Sequence, residues 1–140
     1  MELSDVRRRV RTAIEESRRR TEERRTRKDD ASRAWEQVLA TVAVPAFHDV
    51  AQALVAEGHR FKVVTPGAAV RLVPEKGGEE FVEMALDTDG DEPAVVFRST
   101  RGRGRRTLAS ERALATRVDA LTDTDVVVEL IEELKPFLER

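Results

Sequence analysis

There is no cysteine in this chain of 140 residues, and no tyrosine. The first absence excludes disulfides, thiolate zinc sites, iron–sulfur clusters and thiol nucleophiles together. The second, with one tryptophan and five phenylalanines in the whole chain, leaves little aromatic surface for stacking on nucleic-acid bases. Uninterrupted apolar runs are short, and none approaches the ~20 residues that span a bilayer. The N-terminus starts charged, without the apolar segment of a secretory signal. A cytoplasmic protein with no membrane partner is the resulting expectation. What remains is 40 % hydrophobic and 37 % charged, enough to bury one modest core while much of the surface faces water.

The net charge of −2 conceals an uneven distribution. Residues 1–30 hold 11 basic and 8 acidic side chains, whereas the remaining 110 carry a net charge of −5. Within that remainder Arg98, Arg101, Arg103, Arg105 and Arg106 form a run with no acid among them; without those five the rest of residues 31–140 stands at −10. Basic charge is therefore concentrated in an N-terminal segment and in one short stretch.

The N-terminal segment reads as a helical arm. Leu3, Val6, Val10, Ala13, Ile14 and Ser17 follow three-four spacing, and Glu15 to Arg19, Glu16 to Arg20 and Glu23 to Arg27 are i,i+4 pairs with the acid first. Arg20, Arg24 and Lys28 then occupy positions where apolar residues would have continued the stripe. About two heptads result, short for an autonomous coiled coil, for which three to four are the usual sign. Asp29, Asp30 and Ser32 resemble N-caps before an amphipathic helix over 31–57; with no Pro or Gly in residues 1–44, continuity between the arm and this helix stays open. Trp35, Val38, Leu39, Val42, Ala46, Phe47, Val50, Leu54 and Val55 set its phase, which persists through Pro45 and so predicts a kink within one helix. Gly58 supplies the left-handed stop.

From Phe61 the hydrophobic period falls to two. Strands are predicted over Phe61 to Thr65, Val70 to Leu72, Val82 to Leu86 and Ala94 to Arg98, with turns at Pro66-Gly67, Gly77-Gly78 and Asp89-Gly90; residues 105–112 offer a fifth. A final helix follows Thr122 and Asp125, spaced as a capping box, and shows Val126, Val127, Leu130, Ile131, Leu134, Phe137 and Leu138 on one face. Pro136 should disturb its last turn. The fold class is α+β: a long N-terminal helical arm over 1–30, then one two-layer domain over 31–140. That domain comprises a kinked helix, a four- to five-stranded antiparallel sheet and a C-terminal helix packed on the sheet.

Catalytic and metal-binding constellations were weighed against the residues present. Asp87, Asp89 and Asp91 have the 1-3-5 spacing of a calcium loop, but Glu92 stands where glycine is needed and Arg98 where a bidentate glutamate is needed. An acidic hairpin turn is the better reading. His48 and His59 have no HExxH or similar ligand spacing and no nominated nucleophile, and the helix dipole explains His59 beside a helix end. Neighbouring carboxylates in Glu79-Glu80 and Glu132-Glu133 point apart on any regular element, which makes them solvated surface. No metal, cofactor or catalytic residue is expected.

Two features remain. One is the arm, with Leu3, Val6, Val10 and Ile14 as contact residues. The other is the glycine-containing stretch from Arg98 to Arg106, read as a loop whose guanidiniums suit an anionic partner. It lacks the GxxxxGK[ST] pattern of a nucleotide-hydrolysing loop. The expectation is a non-enzymatic protein–protein interaction or oligomerisation module, an accessory subunit acting through the arm on itself or on a protein partner. The alternative is a nucleic-acid-binding protein in which the arm arginines and Arg98, Arg101, Arg103, Arg105 and Arg106 form a phosphate clamp.

Overall fold

A computed structural model of the chain describes residues 1–139. Its elements run α1 (Leu3–Val38), a π-helical turn (Leu39–Ala43), α2 (Val44–Ala56), β1 (Phe61–Val64), β2 (Val70–Pro74), β3 (Phe81–Asp87), β4 (Ala94–Arg103), β5 (Arg106–Ala113), a 3₁₀ turn (Val118–Ala120) and α3 (Asp123–Leu138). The α+β class and the antiparallel sheet match the sequence reading; the optional fifth strand is present, and β4 runs past Arg98 to Arg103.

The arm over 1–30 and the helix expected over 31–57, whose continuity spacing alone left open, form one continuous helix, and only the capping role of three residues between them is corrected. Asp29, Asp30 and Ser32 lie inside α1 as ordinary helical positions. Capping residues act only where an N–H lacks an intrahelical acceptor, and with neither Gly nor Pro before Pro45 nothing here interrupts the ladder. Pro45 sits at the start of α2, immediately after the π-helical turn. Its ring has no N–H to give and crowds the carbonyl one turn back, so the wider turn absorbs the mismatch and the helix continues. It ends in a Schellman motif: Gly58 adopts φ +88°, its N–H donates to the Val55 carbonyl at 3.0 Å, and the His59 N–H donates to Leu54 at 2.8 Å.

By length and composition the helix Leu3–Ala56 is also, in its most apolar stretch, long and apolar enough to cross a membrane. Counting uninterrupted apolar runs overlooks such a stretch. Ala43, Ala46, Phe47 and Val50 are buried there in the core shared with the sheet and α3, about a third of that stretch being covered.

The five strands form an antiparallel meander in sequence order. Alternation sends Val70, Leu72, Val82, Met84, Val95 and Phe97 into the core, with α2 over β1 and β2 and α3 over β3 and β4. Phe47 of α2 lies parallel to Phe97 of β4, ring centroids 6.5 Å apart. Trp35, almost wholly buried, donates its indole N–H to the Ala68 carbonyl at 2.7 Å, tying the long helix to the β1–β2 turn. Thr122 and Asp125 complete a reciprocal capping box at α3, and Pro136 lies inside that helix, which runs on to Leu138.

Leu130 is fully buried whereas Leu54 is only half-buried. Leu130→Ala should therefore cost about 2–5 kcal/mol, and Leu54→Ala clearly less. Urea denaturation checks the order of the two midpoints.

Candidate functional site

From Leu3 to Arg27 the helix is exposed apart from Asp5. Leu3, Val6, Val10 and Ile14 are 40–65 % exposed, and with Trp35 the nearest large side chain in the core, Leu3 lies ~48 Å away along the helix axis. The expected contact residues thus share one bare stripe, flanked on one side by Arg7, Arg11 and Arg18. None of the three expected i,i+4 pairs closes among the described residues. Arg24 and Arg27 turn instead to Asp91 at 3.7 Å and Glu92 at 3.4 Å, in the turn between β3 and β4. Those pairs are exposed and each stabilises by at most about 1 kcal/mol, so they steer the arm's second half without burying it. The first half touches nothing outside its own helix.

The stretch Arg98 to Arg106 is not a loop. Residues 98–103 continue β4 and residue 106 opens β5, with pairs from Arg98↔Glu111 out to Arg103↔Arg106. Only Gly104 and Arg105 form the turn. Gly104 takes φ +63° as first central residue of a two-residue hairpin, the place where glycine has no Cβ penalty. A polar, glycine-containing sequence looked irregular because its side chains have no core to face; the backbone still pairs.

The hairpin position separates the five arginines. Arg98 belongs to a ladder across the sheet face away from the helices, in which Arg71, Glu83, Arg98 and Glu111 stand side by side on β2, β3, β4 and β5. Glu83, only 5 % exposed, accepts from Arg71 Nε at 2.7 Å and lies 3.6 Å from Arg98. Arg98 Nε also donates to Glu111 at 2.9 Å. That bond, with the charges of Glu111 and Glu83 and against desolvation, raises the Arg98 pKa above its ordinary value. Arg71 in turn lies 4.0 Å over the Phe81 ring. Arg98 is a structural cation, committed to two carboxylates. By contrast Arg101, Arg103, Arg105 and Arg106 form no ion pair among the described residues, and the last three are exposed.

A second tie, which spacing did not suggest, joins the hairpin to the helical layer. Arg112 bonds Glu129 at 2.7 Å and Glu133 at 2.9 Å and sits 5.9 Å from the Phe97 ring centre. Burial pulls its pKa down, but the bonds to Glu133 and Glu129 outweigh that and leave it raised. Glu133 is thus no mere solvated carboxylate. Neither is Glu80, which is buried and accepts the Gly102 N–H at 2.7 Å.

The other candidates are dispersed. Asp87 accepts the Asp89 N–H while Asp91 faces Arg24, and no three His, Asp or Glu converge as metal ligands among the described residues. His48 and His59 are both exposed. No protein-family model matches the chain, and neither a curated protein nor a solved structure is significantly similar to it.

The ladder and the hairpin tip should respond differently to mutation. Arg98→Ala, which leaves the buried Glu83 with one partner, should cost about 1–3 kcal/mol. Replacing Arg101, Arg103 and Arg105 with Ser should change stability by no more than ~0.5 kcal/mol per site. Chemical denaturation of the two variants makes the comparison.

Proposed function

We propose that this chain is a non-enzymatic interaction module that self-associates through its helical arm, serving as an accessory subunit. The bare stripe of Leu3, Val6, Val10 and Ile14 supports the reading, because it sits on a helix whose direction the core holds at Trp35. A helix with an apolar stripe and no tertiary contact is a poor end state for a folded chain: its side chains gain about 1.5–3 kcal/mol each when fully buried. The stripe is too short to be a good coiled coil alone. Part of each side chain is already covered, so the four would recover roughly half that range against an association cost of about 4–15 kcal/mol. Its receptor therefore has to supply apolar area of its own.

Deleting residues 1–28 should leave a folded domain, since Trp35 and the rest of the core lie beyond the cut. Light scattering should then show the full chain at a higher multiple of its own monomer mass than the shortened protein at equal concentration. The same multiple for both, or a full chain that is itself monomeric, would remove the proposal.

One observation favours a second reading, a nucleic-acid clamp. Arg101, Arg103, Arg105 and Arg106 gather at the hairpin tip with no ion pair among the described residues, although the Glu80 carboxylate bonds the Gly102 N–H and Glu139 lies beside Arg101 and Arg103; phosphate is a suitable counterion for such a cluster. Binding to duplex or single-stranded DNA should in that case weaken with salt, and each arginine lost should flatten the slope by about one. Salt-independent or undetectable binding would dismiss it. Arg98, held by Glu83 and Glu111, is not part of such a clamp.

A further inference from the structure

The arm stripe has a counterpart elsewhere on the molecule. Between α2 and α3 runs an open groove of about 280 Å³ whose lining is almost wholly apolar. Ala53 and Leu54 form one wall, Val127 and Ile131 the other, and the charged residues along it, Asp49 and Glu57, are both acidic. Ile131 is 45 % exposed although it falls on the apolar face of α3, so the two helices do not close over it.

We infer that this groove receives the arm of a second copy of the chain, with Val6, Val10 and Ile14 lying between α2 and α3 and Arg7 and Arg11 facing Asp49 and Glu57. The match has three parts. An amphipathic helix with anchors at i, i+4 and i+8 is the usual occupant of an apolar groove between helices. Charges at one rim are complementary: the side of the arm stripe that carries Arg7, Arg11 and Arg18 has Glu15 as its one acid, whereas the charged residues lining the groove, Asp49 and Glu57, are both acidic. Lastly, the arm cannot reach its own groove. Ile14 and Ala53 lie on one unbroken helix, ~58 Å apart along the axis, so only another molecule can bring them together. The groove also supplies the apolar area that a meeting of two bare arms lacks.

This inference rests on the arm-mediated self-association proposed above, and mixing separates the two. Val10→Asp disables the arm; Ile131→Glu disables the groove at a side chain exposed enough that the fold should survive, with Ala53→Asp as an independent second groove variant. Far-UV circular dichroism and the thermal midpoint of each variant verify the fold. In sedimentation velocity each variant alone should dissociate at concentrations at least tenfold above those at which the unaltered chain does, about the effect of one lost contact of this size. An equimolar mixture of Val10→Asp with Ile131→Glu should associate again, because one partner keeps its groove and the other its arm. If both groove variants associate as the unaltered chain does while Val10→Asp does not, the arm reading stands and the groove inference falls. A mixture that stays monomeric overturns the groove inference as well, and unchanged association of Val10→Asp overturns both.

Discussion

Everything distinctive about this molecule depends on where its long helix is gripped. Trp35, buried with its N–H bonded to the Ala68 carbonyl, is the first large side chain of α1 that the core holds; Val38, Ala43, Phe47 and Val50 follow. N-terminal to it Lys28, Ala31 and Ala34 are partly buried, and farther out the ion pairs of Arg24 and Arg27 to the β3–β4 turn are both exposed. A helix is stiff over such lengths, so fixing its C-terminal half aims the free half. The π-helical turn before Pro45 matters for the same reason: had proline broken the helix, the arm and the core would be hinged instead of continuous. An apolar stripe presented at fixed distance and orientation from a folded body is the geometry on which the functional proposal rests.

The sheet solves a different problem with charge. One face is covered by α2 and α3; the other has no helix, and its centre is crossed by Arg71, Glu83, Arg98 and Glu111 in alternating sign across four strands. The long arginine stems lie along the sheet while the carboxylates satisfy their heads. Glu83 is the pivot, a buried carboxylate with a guanidinium on either side. β5, exposed along its length, would be an open edge for indiscriminate strand pairing, and the charged Arg106, Glu111 and Arg112 along it make that edge less receptive. A small, well-placed part of the charged content is thus structural.

Local periodicity made several elements legible in advance. The two-residue alternation located β1 to β3 and the first half of β4, Gly58 marked the helix end, and the spacing of Thr122 and Asp125 marked the start of α3, because each depends on neighbours a few residues away; β5, exposed on both faces, had no such alternation and was only an optional strand. Misreadings arose where a residue type serves two environments. Asp29, Asp30 and Ser32 are good caps and equally acceptable exposed helical residues, and Arg98 to Arg106 looks irregular unless its pairing with β5 is known. The ladder was out of reach for a related reason: each of its four charges, seen alone, sits at a polar position of a strand, and only the register places them side by side. Among candidate sites, Leu3, Val6, Val10 and Ile14 were evident from spacing. Their lack of cover, and the groove between α2 and α3, depend on how distant segments pack.

The most direct test of the central claim is hydrogen–deuterium exchange of the full chain as a function of its own concentration. If the bare stripe is an association surface, amides over residues 3–17 should gain protection as concentration rises, while those over 44–56 exchange at a rate that does not depend on it beyond the groove-facing positions. Arm amides that exchange equally fast at every concentration would contradict the account and leave the arm as solvated helix.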